Sequence, residues 1–115
     1  MKVEDIAGNV ISFELQREPQ MNGELQAVID ISTEKSGCNI ILNFAHVDII
    51  TSSSLTKLLK LRQTLHASGR RLVLCGLHPF TRSAFEVTGL NGIFELAADK
   101  QAGYAILISG CLAGS

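Results

Sequence analysis

The sequence predicts a single α/β domain over residues 1–115, with a mixed, mostly parallel sheet of four to five strands and about four helices. Three observations lead to this prediction. The chain has 115 residues, which suits one domain with one core. Short apolar runs typical of buried strands alternate with segments whose apolar residues recur at helical spacing. The opening residues alternate between apolar and polar on either side of a turn signal, which predicts an antiparallel hairpin.

The first third of the chain is predicted to contain that hairpin, a helix and a buried strand. Gly8-Asn9 marks the hairpin turn. Helix one is predicted from four apolar residues at helical spacing, with Gly37 as its end signal: Met21, Leu25, Val28 and Ile29. The continuous apolar run CNIILNF then predicts a strand that is covered on both faces.

The middle of the chain is predicted to form helix two, a strand and helix three. Helix two has a broad apolar stripe and stops at Gly69: Leu55, Leu58, Leu59, Leu61 and Leu65. The run RRLVLCG predicts the next buried strand. Helix three opens at His78-Pro79 and ends at Gly89, with Phe80, Ala84 and Val87 along one face. An aromatic pair in such a helix is typically core, so Phe80 and Phe85 are not assigned to a site.

The last segment is predicted to form a short strand and a terminal helix. GIFEL predicts the strand, and Asp99 is placed to cap a helix from about Lys100 onward. Its predicted inward face has four residues: Ala102, Ala105, Ile106 and Ser109.

Composition argues against several classes of function. The net charge is −1 with no long block of either sign, so neither nucleic acid nor an anionic membrane surface is an expected partner. No apolar run is long enough for a membrane span. Cys38, Cys75 and Cys111 are widely spaced, which indicates reduced thiols and a cytoplasmic protein. The cysteines and histidines lack the spacing of a metal site, and no glycine-rich phosphate loop occurs, so no metal or cofactor is predicted.

Thr51, Ser52, Ser53 and Ser54, here called the hydroxyl cluster, stand where the strand 38–44 leads into helix two. A single hydroxyl is enough to cap a helix and contributes about 1 kcal/mol. Four hydroxyls in succession leave at least two without a capping role. The cluster is therefore interpreted either as helix capping alone or as a phosphorylation switch, because a phosphate is favoured at a helix N-terminus. A nucleophilic serine is disfavoured, since TSSSL is not a GxSxG elbow and His46 has no evident acidic partner.

Two segments resemble the STAS domain of bacterial anti-sigma factor antagonists. ILNFAHVDIITSSSLTKLLKLRQTLHASGRRLVLCGL is similar to the family's strand, Asp-Ser-Ser-Gly-Leu junction, helix and strand. HPFTRSAFEVTGLNGIFEL resembles its helix with a Thr-Gly-Leu turn. The resemblance implies a non-enzymatic regulator that binds an anti-sigma factor with serine kinase activity. It also implies Ser52 as the phosphoacceptor, with Thr51, Ser53, Ser54, Asn43 and Lys57 on the partner-binding surface.

The chain departs from the family pattern at four positions of this region. Thr51 replaces the junction aspartate, Ser54 the junction glycine, and Asn43 the acidic residue of the preceding strand. A further aspartate of the family falls near Gln20, so the acidic neighbours of the phosphosite are expected to be neutral here. Such neutral substitutions would also suit two alternatives, the small cytoplasmic STAS subunit of a lipid-transporting ABC system and a non-phosphorylated STAS scaffold. An independent hydrolase is a more distant alternative.

Overall fold

In the computed structural model, which describes residues 2–6, 9–34 and 38–113 apart from the side chains of 91 and 108–113, five strands form one sheet. They are β1 (Lys2–Asp5), β2 (Val10–Glu14), β3 (Asn39–Asn43), β4 (Leu72–Cys75) and β5 (Glu95–Ala97). The spatial order is the chain order, β1-β2-β3-β4-β5. Only the β1–β2 pair is antiparallel, with Val3 opposite Phe13. The predicted hairpin and mostly parallel sheet are therefore confirmed, while Gly8 of the predicted turn lies outside the described residues.

The helices are α1 (Gln20–Glu34), α2 (Ser52–Ala67), α3 (Pro79–Val87) and α4 (Lys100–Ala113), with a 3₁₀ turn at Leu90–Gly92. Side chains of α1, α2 and α3 pack on one face of the sheet, and α4 packs on the other. The larger core lies under α1 and α2, where Phe13, Leu42 and Leu61 are fully buried. The four predicted helices are present in the described part of the chain, although Gly37, the expected end of α1, lies outside it.

The sequence also predicted several helix ends correctly. Gly69 and Gly89 follow α2 and α3 with φ of 74° and 76°, the left-handed conformation that glycine adopts without a steric cost. Asp99 caps α4, because its Oδ1 accepts a hydrogen bond from the backbone N–H of Ala102 at 2.8 Å.

The predicted inward faces of three helices need correction. In α3, Phe80 is 74% exposed, and Thr81 and Phe85 are buried instead. Val87 is also largely exposed, and Leu59 of α2 is 38% exposed. In α4 the innermost described residues are Gly103 and Leu107, while Ala105 faces solvent and the side chain of Ser109 is outside the described part.

The α3 error has a simple geometric cause. Residues 80, 84 and 87 and residues 81 and 85 both follow helical spacing, so the period alone cannot choose between the two faces. The structure selects the second, since the Phe85 ring stacks on Phe94 at 5.7 Å between centroids. The hydroxyl of Thr81 donates to the backbone carbonyl of Asp48 at 3.3 Å, so its polar group remains satisfied when the residue is buried.

Cys38 and Cys75 are free thiols, as the sequence predicted, and Cys111 has no described side chain. Burial, followed by the nearby Asp99 carboxylate, raises the pKa of Cys75 to about 11, so this thiol is protonated at neutral pH. None of the described helices is long and apolar enough to cross a membrane.

Among the described glycines whose surroundings are given, Gly76 leaves the least room for a side chain, and its replacement by alanine tests the packing at the end of β4. Gly76 has φ of 66°, and an added Cβ would lie 2.8 Å from Asn43 Oδ1 and 3.3 Å from the Ala45 nitrogen. Gly69 has a similar φ of 74° but open space around its Cα. We expect Gly69→Ala to cost about 1 kcal/mol and Gly76→Ala about 2–3 kcal/mol in the free energy of unfolding, measured by urea denaturation. Equal losses in the two variants would mean that the contact with Asn43 relaxes freely.

Candidate functional site at the start of α2

The start of α2 is defined by Thr51, which has the extended backbone of an N-cap residue, with φ of −85° and ψ of 161°. Its Oγ1 accepts a hydrogen bond from the backbone N–H of Ser54 at 3.2 Å. One of the four hydroxyls therefore caps the helix, as the capping interpretation predicted.

A carboxylate from another part of the chain completes this cap. Oε2 of Glu18, in the loop before α1, accepts three hydrogen bonds from the start of α2. The donors are the Thr51 backbone N–H at 3.0 Å, the Thr51 hydroxyl at 2.7 Å and the Ser54 hydroxyl at 2.6 Å. Burial by itself raises the pKa of Glu18, but the hydrogen bonds from Ser54 and Thr51 outweigh it, so the pKa lies below its usual value.

Asn22 and Lys57 extend the same network. The Asn22 amide donates to the Ser53 hydroxyl at 2.8 Å. Nζ of Lys57 donates to Oδ1 of Asn22 at 2.7 Å and to its backbone carbonyl at 3.2 Å. The structure thus brings Thr51, Ser53, Ser54 and Lys57 together. It adds the Glu18 carboxylate from the loop before α1 and the Asn22 amide from the first turn of α1.

Ser52 differs from its neighbours in its surroundings. It is the first residue of α2 and is exposed, whereas Ser54 is fully buried. Its side-chain hydroxyl makes no hydrogen bond with any residue in the described ranges, although its backbone carbonyl accepts one from Thr56 at 3.0 Å. Thr51 and Ser53 are exposed as well, so Ser52 is set apart by a hydroxyl that makes no hydrogen bond in the described part of the chain.

Asn43 lies elsewhere. Side chains alternate between the faces of a strand, so Asn43 shares the α4 face with Ile41, whereas the hydroxyl cluster adjoins α1. The amide oxygen of Asn43 accepts a hydrogen bond from the Ala45 N–H at 2.9 Å and so shapes the turn after β3. Within the described chain it makes no hydrogen bond with Ser52, and its place on a partner-binding surface stays a prediction.

One sequence expectation about charge is incomplete and another is wrong. The positions where the family has acidic residues are neutral here, yet Glu18, two residues before Gln20, supplies a carboxylate that binds Thr51 and Ser54. His46 was expected to lack an acidic partner, yet its Nε2 lies 2.9 Å from Oε1 of Glu14.

A signal for Glu18 was present in the sequence. Glu18 follows β2 and Thr51 follows β3, and the carboxyl ends of neighbouring parallel strands meet at one edge of a sheet. The polar residues that follow these two strands were therefore placed to meet.

Exposed apolar groups adjoin the chain segment that leads into α2. Ile49 is 67% exposed in this segment, and the hydrogen bond between Thr81 and the Asp48 carbonyl ties the segment to α3. Phe80 of α3 stacks on His78 with 5.7 Å between ring centroids. Polar hydroxyls and exposed apolar side chains thus occur together near the start of α2.

Comparison with known proteins identifies the fold and the family. Residues 20–102 match the model of the STAS domain. BtrV of Bordetella bronchiseptica, which carries the name of an anti-sigma factor antagonist, is 33% identical over 86 residues, covering 75% of this chain and 71% of BtrV.

Solved structures agree with this family match. The anti-sigma factor antagonist SpoIIAA in its unphosphorylated form superposes with a TM-score of 0.70 at 18% identity, over 95% of this chain and 97% of SpoIIAA. A variant of RsbS from Moorella thermoacetica superposes with a TM-score of 0.80 at 15% identity, over 99% of this chain and 97% of RsbS.

A mixed five-stranded sheet with a hydroxyl-rich strand-to-helix junction defines a small α/β domain with the fold of SpoIIAA. The chain belongs to the STAS domain family. The resemblance drawn from the two sequence segments is therefore confirmed.

The contribution of Glu18 to capping α2 from a distant part of the same chain can be measured through the free energy of unfolding. We expect Glu18→Gln to lower the free energy of unfolding at neutral pH by about 1–2 kcal/mol, since a neutral amide accepts these hydrogen bonds more weakly. The pKa of Glu18 is lowered in the folded chain, so its stabilisation is present above the ordinary value of 4.5 and is lost as pH falls through the folded pKa. The difference between wild type and Glu18→Gln should therefore shrink in acid. Exposed Glu86 is a matched control, and an equal loss in Glu86→Gln would contradict the assignment.

Proposed function

We propose that this protein is a regulatory binding module that acts by partner switching, with Ser52 as the phosphoacceptor. Its partner in this proposal is an anti-sigma factor with serine kinase activity. The unphosphorylated chain binds that partner, and phosphorylation of Ser52 releases it. The proposal rests on the different contacts of the hydroxyls. Thr51 and Ser54 form the hydrogen bonds that cap α2, whereas the exposed Ser52 hydroxyl forms none with any described residue.

The position of Ser52 is suited to a charge switch. It is the first residue of α2, where the positive end of the helix dipole favours a phosphate, so the fold tolerates both states. A phosphate adds about −1.5 to −2 charge, and a partner packed on this surface must then desolvate it. The charge would also stand next to Thr51, whose backbone and hydroxyl already bind the Glu18 carboxylate.

The surroundings of Ser52 supply the rest of a protein contact. Exposed Ile49 and Phe80 offer apolar area, and Lys57 offers a cation held in place by Asn22. Interfaces of this kind combine aromatic anchors with a polar rim. The names of the relatives support the partner class, since BtrV and SpoIIAA are both named as anti-sigma factor antagonists, and SpoIIAA has also been solved in a phosphorylated form.

The test compares wild type with Ser52→Ala and Ser52→Asp as affinity baits in lysate of the native organism. Proteins retained by wild type are identified by mass spectrometry, and the recovered kinase is then purified for binding and phosphorylation assays. We expect wild type and Ser52→Ala to bind the kinase alike and Ser52→Asp to bind at least about tenfold more weakly, since a desolvated charge costs well over 1 kcal/mol. In the presence of ATP, the kinase should phosphorylate wild type at Ser52 and leave Ser52→Ala unphosphorylated.

Ser53→Asp is the matched control, because it adds the same charge one residue further along α2. A loss equal to that of Ser52→Asp would indicate a general charge effect rather than a switch at Ser52. Equal binding by wild type and Ser52→Asp, or recovery of transporter subunits by both baits, would overturn the switch and favour a STAS subunit that is not phosphorylated.

A further inference from the structure

A second surface with its own chemistry lies at the other end of α2. A groove of about 260 Å³ is lined by four basic side chains, from Arg62, His66, Arg70 and Arg71. Leu72, Ile93 and Glu95 complete the lining. We call it the basic groove. It is formed by the last turns of α2 and by the amino ends of β4 and β5, whereas the hydroxyl cluster follows the carboxyl end of β3.

The charge of the basic groove opposes that of the whole chain. Three of the ten lysines and arginines line it, but only one of the eleven aspartates and glutamates, so its formal charge is +2 with the histidine counted as neutral. The chain as a whole carries −1. This concentration of positive charge would attract an anionic partner over about a Debye length, roughly 8 Å at physiological ionic strength.

The three arginines of the groove differ in their burial and in their hydrogen-bond partners. Arg70 is 8% exposed and donates to the Ser32 carbonyl, which makes it a structural residue. Arg71 pairs with Glu95, and its Nε lies 2.9 Å from Glu95 Oε2. Arg62 donates through Nε to the Ile93 carbonyl at 3.1 Å, while its two terminal nitrogens form no hydrogen bond within the described ranges. Arg62 is thus an anchored guanidinium with its terminal donors available.

The lining also shows what kind of anion fits. An anchored guanidinium binds a carboxylate in a bidentate manner, and Ile93, which is 41% exposed, offers an apolar contact beside it. The volume lies below the roughly 300–1,000 Å³ that encloses a whole small-molecule ligand, so side chains of a peptide suit the groove better. From this we infer that the basic groove is a docking site for an acidic peptide segment of a protein partner, in which carboxylates flank an apolar residue.

This docking site is separate from the proposed switch. Ser52 and His66 lie 14 residues apart on α2, which corresponds to about 20 Å along the helix axis at 1.5 Å per residue. The inference rests on the groove alone, so it holds or fails independently of phosphorylation at Ser52.

The test uses a fluorescein-labelled synthetic peptide in which glutamates flank a leucine, titrated with the full chain and followed by fluorescence anisotropy. We expect Arg62→Gln to weaken binding about fivefold or more, because it removes a charge-assisted bidentate contact. Lys60→Gln removes the same charge from an exposed position of α2 outside the groove and should change binding by less than about twofold. The same peptide with glutamine in place of glutamate should not bind.

Glu95→Gln removes the carboxylate of the groove and should tighten binding about threefold. Such a gain in affinity cannot result from unfolding, so this variant controls for a loss of fold. Shifts in the amide NMR spectrum should map to residues 62, 66, 71 and 93. The inference is overturned if Lys60→Gln and Arg62→Gln weaken binding equally, or if the shifts fall elsewhere. It is also overturned if inorganic phosphate gives the same shifts and displaces the peptide at similar concentration, which would indicate a site for small anions. Ser52→Asp should bind the peptide as wild type does.

Discussion

The carboxylate of Glu18 holds the start of α2 against the loop before α1, and the geometry of the candidate site depends on this interaction. The first turn of α2 contains no acidic residue of its own. An anion is nevertheless favoured there, because the unpaired N–H groups and the helix dipole leave partial positive charge. Glu18 supplies that anion from a distant segment, while His66 and the nearby Arg62 lie toward the negative end. The carboxylate of Glu18 therefore complements the dipole of α2 at its amino end.

Because of this arrangement, the hydroxyls of the cluster are not equivalent. Ser54 is buried and bound to Glu18, so a modification there would have to break the cap. Ser53 accepts from Asn22, which is itself held by Lys57. Ser52 is left with an exposed hydroxyl on a helix turn that is already fixed by its neighbours. A rigid frame around one exposed hydroxyl that carries no hydrogen bond of its own in the described chain lets a partner distinguish the modified from the unmodified group.

The fold could be predicted from the sequence because its signals are local. Alternating apolar and helical periods placed the strands and helices, and Asp99 and Gly69 marked ends that need specific backbone groups. The errors arose where a decision needed distant neighbours. Phe80 and Phe85 follow equally good helical patterns, and only the position of Phe94 decides which ring is buried. Glu18 is more than thirty residues from its partners, and its contact depends on β2 and β3 being adjacent.

The strand order β1-β2-β3-β4-β5 has a consequence for how the chain is assembled. Each strand pairs with the one before it, so no strand has to be inserted between two that have already paired. Every newly added unit can dock on a finished edge, and each crossover that must close joins strands that are consecutive in the chain. The growing sheet can therefore form progressively from the amino end as the ribosome releases the chain. The candidate site, which needs only the units up to α3, can be complete before β5 and α4 have been synthesised.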